Sequence, residues 1–354
     1  MAVTINDVAR AVGVSTSTVS RAFTMPDQVR AETRERVLEV SAELGYVPNP
    51  SARSLRAGAT ATLGMIIPNI ANPFFPPIFK ALQQRARQLG YTTLVADCDD
   101  RESAELDAIA AIANRVDGLL LWSSLPDERL RAIAARTPLV LVNREVDGIS
   151  SLRINLTAGV RQAGELLVAL GHRHCALIDA SRPGEERDKH FAEVFRGLGL
   201  TVTELGPYEP RFETGVHAAT LVASSGATAV LAHNDLVALG ALQQFTALGV
   251  RVPADVSLVG IDDTLLASVC TPALTSVRID PDELAAAASE LLVEAVAGRG
   301  GSPREPGEPG EPGEPKESRE PREPREPRRA VVGSRLVPRA STGPAPAGRG
   351  VLGP

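Results

Sequence analysis

Thr16, Ser17, Ser20 and Arg21 are spaced to share one helical face, and they combine short hydroxyls with a single guanidinium. Hydroxyls of this length can donate to or accept from base edges in the major groove, while arginine suits guanine or a backbone phosphate. The sequence is not arranged for catalysis. It carries no phosphate-cradling glycine loop, no nucleophile elbow and no metal-ligand spacing, so it argues against an enzyme and for a chain without cofactors. Cys98, Cys175 and Cys270 are odd in number, far apart and set among apolar residues, which reads as reduced buried thiols and not as a disulfide frame.

The elements that must hold these groups are legible. Thr4 to Arg21 fits two short helices with a tight turn at Gly13, Thr4 capping the first with Asp7 closing a capping box, and Ser15 opening the second. Ile5, Val8 and Ala9 then share a face that can meet Val14, Val19 and Ala22. A third helix is expected over Ala31 to Leu44, with Val37, Val40, Ser41 and Leu44 inward and Gly45 as its stop. Three helices of this kind make a complete helix-turn-helix headpiece, whose second helix reads the major groove. The stretch from Pro48 to Arg56 is too polar for a core and too short to be stable as an isolated helix.

From Leu63 the pattern becomes alternating strands and helices. Apolar runs at 63–68, 92–97, 118–122 and 139–143 are separated by amphipathic stretches at 74–89, 102–114 and 128–136, and strands recur near 174–180, 229–232 and 256–261. Two sets of βα units imply two lobes, each a doubly wound parallel sheet, with a ligand cleft beyond the strands' carboxyl ends. The span 299–329 breaks the rhythm: it holds eight Pro, eight acidic and eight basic residues and no large apolar side chain, so it cannot build a packed core. Residues 330–342 resemble the closing strands of a known family's core, which implies that the span interrupts the core after a last long helix, 281–297, and that deleting 301–327 leaves folding intact. The expected organisation is a headpiece at 1–47, a hinge helix or linker at 48–58 and a core at 59–354.

With 354 residues the chain is long enough for two or three domains. It has no apolar run of membrane-spanning length and no signal-peptide pattern at its start, which points to the cytoplasm. Its net charge is -6, and residues 1–58 hold seven arginines against six acids. Most of those acids fall on the third helix and the loop before it, away from Arg21, Arg53 and Arg56. Non-specific DNA affinity should be modest, and tight binding should need dimerisation with correct half-site spacing.

The helix-turn-helix and hinge resemble those of the lac-repressor family of transcriptional regulators. The likeness continues in Asn72-Pro-Phe-Phe75, Val116-Asp-Gly-Leu-Leu120, Ala169-Leu-Gly-His-Arg173, His233-Asn-Asp235, Val252-Pro-Ala-Asp255 and Val259-Gly-Ile-Asp-Asp263, phrases of that family's periplasmic-binding-protein-like core. It implies a homodimer on a pseudo-palindromic operator, most simply a repressor, with a small-molecule effector between the lobes. Thr16, Ser17, Ser20 and Arg21 would contact DNA from the headpiece, and Asn49, Ala52, Arg53 and Leu55 from the hinge, which folds on DNA with Leu55 wedged into the minor groove. The effector contacts carried across are Phe75, Arg187, Asn234 and Asp262, flanked by Trp122 and Arg144. A carboxylate, an arginine fork, an amide and a stacking aromatic suit a sugar or sugar derivative, with its paired hydroxyls and apolar ring face. His172-Arg-His174 fits the family's turn better than a zinc site. The chain departs from the pattern at Asn155-Leu156 in the crossover and at His190-Phe191 beside the pocket. The competing reading is an exported solute-binding protein, which shares the cleft but has no use for a headpiece.

Overall fold

A computed structural model of the chain describes residues 3–46, 60–180, 187–298 and 326–347. Asn49, Ala52, Arg53 and Leu55, with residues 299–325 of the insertion, lie outside the described residues. The backbone divides into two compact units, Met1–Thr60 and Ala61–Pro354.

The first unit contains α1 (Ile5–Val12), α2 (Thr16–Thr24) and α3 (Ala31–Leu44). The Thr4 N–H and hydroxyl both donate to Asp7 Oδ2, at 3.0 and 2.7 Å, and these bonds hold the Asp7 carboxyl below its ordinary range. Ser15 Oγ accepts from Thr18 N at 3.1 Å and opens α2. Gly13 (φ 75°) stops α1 and Gly45 (φ 68°) stops α3, in the left-handed region that favours glycine at such ends. Val8, Ala9, Val19, Ala22 and Val37 form the core, flanked by Ile5, Val14, Phe23 and Tyr46. Leu44, expected to face inward, is 40% exposed. The chain doubles back at Gly45, where Tyr46 N donates to Ser41 O and the Tyr46 ring packs on Phe23, so tyrosine closes the end of this core.

The second unit has two lobes. In chain order it runs β1 (Thr62–Ile67), α4 (Phe75–Gln88), β2 (Thr92–Asp97), α5 (Glu102–Ile112), β3 (Gly118–Leu121), α6 (Asp127–Ala134), β4 (Leu139–Val142), β5 (Ser150–Ile154) and α7 (Thr157–Ala169). It continues with β6 (His174–Ile178), α8 (Arg187–Gly197), β7 (Thr201–Leu205), α9 (Phe212–Ser225), β8 (Ala229–Ala232), α10 (Asp235–Ala247), β9 (Ser257–Asp262), α11 (Leu265–Val269) and β10 (Thr275–Ile279). It closes with α12 (Pro281–Gly298), β11 (Arg329–Val332) and β12 (Ser334–Val337). One six-stranded sheet is ordered β11-β5-β4-β3-β1-β2 and is parallel throughout. The other is ordered β12-β10-β9-β8-β6-β7, and its edge strand β12 runs antiparallel to β10. The strands at 150–154, 201–205 and 275–279 had no counterpart among the expected ones, because serine, threonine, arginine and glutamate interrupt their apolar character. Arg329, assigned by sequence to the insertion, opens β11.

The chain passes between the lobes three times, after β5, after β10 and after β11. Two of these passages are laced together: Asn155 N donates to Val332 O at 2.8 Å, and Ser334 Oγ donates to Asn155 O at 2.9 Å. The helix α12 follows a second-lobe strand yet covers the first lobe, where Gly118 leaves room for Leu292 and Val296.

In the second lobe α9 and α10 touch backbone to backbone. A Cβ on Gly215 would overlap the Val237 carbonyl oxygen, and one on Gly240 would overlap that of Phe212. Neither contact can yield by moving a side chain. Gly215→Ala and Gly240→Ala should each destabilise the core by about 1–3 kcal/mol or more, read as a lower unfolding midpoint in urea, whereas Gly197→Ala, which meets nothing within 4 Å, should leave it unchanged.

Candidate functional site

A cavity of about 870 Å³ lies between the lobes at the carboxyl ends of both sheets. Its walls are the segments leaving the strands: Pro68 to Phe75 after β1, Trp122 to Ser124 after β3, Asn143 and Arg144 after β4, His233 and Asn234 after β8, and Asp262 ending β9. Open α/β sheets bind ligands in this position. A second cavity of about 350 Å³ adjoins it, sharing Pro68, Asp100, Trp122 and Arg211.

Five of the six expected effector residues line the main cavity: Phe75, Trp122, Arg144, Asn234 and Asp262. The first two form an aromatic wall, with the Phe75 ring edge-on to Trp122 at 5.5 Å and to Phe74 at 5.2 Å. Both are nearly buried, so each packs the lobe and presents only part of its ring. Asn234 caps α10, its Oδ1 accepting from Val237 N at 2.9 Å. Its side-chain amide nitrogen is therefore the end suited to a ligand oxygen. Arg144 is held on one side, donating to Asp127 Oδ1 at 2.7 Å and to the Ser123 carbonyl at 3.4 Å. Arg187 opens α8, and its side chain lies outside what is described.

Asp262 (φ 115°) and Asp263 (φ 54°) are consecutive non-glycine residues in the left-handed region. Such conformations cost of order 1–3 kcal/mol each and persist where the surroundings over-determine them. Asp263 points away from solvent, its carboxylate 2.5 Å from Arg339 and 3.7 Å from Arg278. The cavity also gathers polar groups that the sequence did not single out, among them Asn69, Asp100, Arg153, Thr157 and Arg211. His190, noted only as a departure from the family pattern, lines it too and meets Thr157 Oγ1 at 3.1 Å through Nε2. The missed signal was position: Asn69 and Asp100 follow strand ends, Thr157 and Arg211 stand where helices begin, His190 lies in the first turn of α8, and Arg153 is the penultimate residue of β5.

In the first unit, Ser17 and Arg21 stand exposed on α2, while Thr16 and Ser20 are half-buried. The Arg21 guanidinium lies back along the helix, Nε donating to Ser17 O at 3.3 Å, which sets the two side chains together on the outer face.

His172 takes a structural place. Fully buried, it meets Thr228 Oγ1 at 2.9 Å through Nδ1, and Ser257 Oγ at 2.9 Å and Gly343 O at 3.0 Å through Nε2. Cys98 and Cys175 are buried and Cys270 half-buried; burial pushes the Cys175 thiol up to about 12. Among the described residues no group of three or more His, Cys, Asp or Glu could hold a metal ion, and no helix is long and apolar enough to cross a membrane.

The chain is 33% identical over 315 residues to the HTH-type transcriptional repressor CytR of Escherichia coli (strain K12), covering 84% of this chain and 91% of that protein. It is 31% identical over 300 residues to the regulator DegA of Bacillus subtilis (strain 168), covering 81% and 89%. The model of the bacterial regulatory proteins of the lacI family matches residues 4–49. The chain belongs to the lacI family. A periplasmic binding protein-like domain matches residues 165–312 of this lacI-family chain. The solved lac repressor dimer bound to operator and the anti-inducer ONPF superposes with a TM-score of 0.75 at 27% identity, over 97% of this chain and all of that one. The CelR–cellobiose complex gives 0.64 at 28%, over 96% and 99%. This lacI-family chain is a DNA-binding transcriptional regulator with an effector-binding core. The family match across the headpiece removes the ground for the exported solute-binding reading.

Desolvation lowers the His172 pKa from its ordinary value. The unfolded chain then binds the proton more readily than the fold, so this histidine's contribution to stability is complete above about pH 6.5 and is lost as pH falls through that value toward the lowered one. The melting temperature should drop between about pH 7 and pH 5 by more in the wild type than in His172→Gln. Equal drops would show that the buried ring does not set this slope.

Proposed function

We propose that the protein is a homodimeric repressor that binds a pseudo-palindromic operator through paired headpieces and releases or tightens that grip when a sugar or sugar derivative occupies the interlobe cleft. One observation carries the reading. A single cavity brings together an aromatic wall, Phe75 with Trp122, the amide of Asn234 and the carboxylate-bearing turn at Asp262, which are the groups a polyhydroxylated ring requires. Solved relatives add support: they include the lac repressor dimer bound to operator and complexes with lactose and cellobiose. In this reading Thr16, Ser17, Ser20 and Arg21 face the major groove, and Asn49, Ala52, Arg53 and Leu55 the operator centre. Arg144 and Arg187 complete the effector contacts. The chain acts in the cytoplasm, where its operator is, and performs no catalysis.

Control requires the effector to favour one arrangement of the lobes over the other, with a coupling of about 1–3 kcal/mol. The three inter-lobe passages supply a joint about which two arrangements can exist.

Trp122 is the only tryptophan of the chain and lines the cleft, so its fluorescence reports occupancy. Titration with ribose, lactose, cellobiose and the matching sugar acids should shift its emission for at least one compound, and Asp262→Ala should abolish that shift while leaving the melting temperature of the free protein within a few degrees. No response to any sugar would remove the effector class from the reading.

Arg21→Ala should weaken operator binding by about 1–3 kcal/mol in a gel-shift titration. It should also flatten the dependence on salt. Unchanged affinity across promoter fragments would show that α2 does not face the DNA.

A further inference from the structure

Asp262 turns into the cleft from a backbone that its own residue type does not favour, and the turn is held from below by a carboxylate outside the cavity wall. Asp235, the first residue of α10, is only 1% exposed and is absent from the lining residues, although its neighbours Asn234 and Leu236 are among them. Its Oδ2 accepts from Thr264 N at 2.7 Å and from Thr264 Oγ1 at 3.0 Å. Its Oδ1 accepts from Ser276 Oγ at 2.6 Å, and that hydroxyl oxygen accepts in turn from Asp263 N at 3.0 Å. One carboxylate thus fixes both backbone N–H groups that follow Asp262, one directly and one through a serine relay. Gly260 makes the approach possible, since a Cβ there would overlap Asp235 Oδ1.

We propose that Asp235 is the positioning residue for the effector-binding carboxylate: by holding the amides of Asp263 and Thr264, it keeps Asp262 in its left-handed conformation and aims it into the cleft. The inference rests on the reading of Asp262 as an effector contact. The Asp263 carboxylate is clamped in turn by Arg339 and Arg278, so both residues that follow Asp262 are anchored. A backbone aimed in advance spares the ligand the ordering cost of the turn, and a carboxylate acceptor of N–H and O–H donors is stronger than a neutral one. Three donors converge on Asp235, and an asparagine amide would turn its own N–H groups toward some of them.

Burial pushes Asp235 up to about 6, with the Asp263 carboxylate adding to the rise. The groups facing it are Asp263 just after β9, Arg278 on β10 and Arg339 beyond β12, which pair with Asp263, and the half-buried Cys270 thiol after α11. Proton uptake by Asp235 removes acceptor capacity from Thr264 or Ser276, so the turn is best held above about pH 6 and loosens below it.

Crystal structures of the wild type and of Asp235→Asn decide the geometric part. The expected result is that Asp262 leaves the positive-φ region in the variant, and an unchanged 262–264 backbone overturns the proposal. Ser276→Ala, which cuts only the relay to Asp263 and leaves both carboxylates, is the second variant should Asp235→Asn fail to fold; a displaced Asp263 amide is expected there. In Trp122 fluorescence titrations with whichever of ribose, lactose and cellobiose shifts the wild-type emission, Asp235→Asn should raise Kd by about tenfold or more. The wild-type Kd should also rise from about pH 7.5 to about pH 5.5, a trend the variant lacks. If Asp262→Ala binds as the wild type does, the effector reading itself fails. If Asp262→Ala loses binding while Asp235→Asn keeps wild-type affinity at both pH values, the positioning role alone fails.

Discussion

The lacing of two inter-lobe passages governs the core. Asn155 shares its backbone with Val332 and Ser334, so the segment leaving the first lobe and the one returning from it through β11 are tied together. A joint of this kind makes sliding of one sheet past the other costly, since sliding would break the Asn155–Val332 backbone bond and the bond from the Ser334 hydroxyl, and leaves rotation as the easier motion. The cleft opens at the strand ends beside this joint. In the proposed function, an effector filling the cleft would act by favouring one angle between the lobes over another.

The site is assembled on the same economy of strand ends. Trp122, Asn143, Arg144, Asn234 and Asp262 each stand at the last residue of a parallel strand or just after it, and several do two things at once. Asn234 caps its helix with one end of its side chain and offers the other to the cleft. Asn143, also at positive φ, holds the Ile154 amide through Oδ1 at 2.8 Å and fixes β5 where the first passage begins. Side chains held this firmly lose little freedom when a ligand arrives.

Much of this was legible in residue order, for identifiable reasons. The caps at Thr4 and Ser15 and the stops at Gly13 and Gly45 are local chemistry, needing only a few neighbours to act, and the structure has each of them. The central strands announced themselves as apolar runs because both faces of a parallel sheet are covered. The edge and near-edge strands β5, β7 and β10 did not, since their serines, threonines and charges mask the pattern. Leu44 misled because helical spacing places it on the inner face, whereas the return of Tyr46 over that face is a tertiary event. Of the cleft, Phe75, Asn234 and Asp262 came from family resemblance. Asp235 and its serine relay could not have, because Ser276 is 41 residues away and meets Asp235 only through the pairing of β9 with β10.

The placement of α12 and β11 carries one more consequence, for how the molecule is made. The first lobe is interrupted after β5 by the whole parallel part of the second, and receives its covering helix and sixth strand only at 281–298 and 329–332. On the ribosome, the nascent amino-terminal sheet must wait with the flank of β5 bare and the surface under Leu292 and Val296 wet until nearly all of the polypeptide has emerged. Contacts closed across such long loops form slowly, and open strand flanks invite pairing with a neighbour. The first lobe therefore completes its fold only after the second has been synthesised.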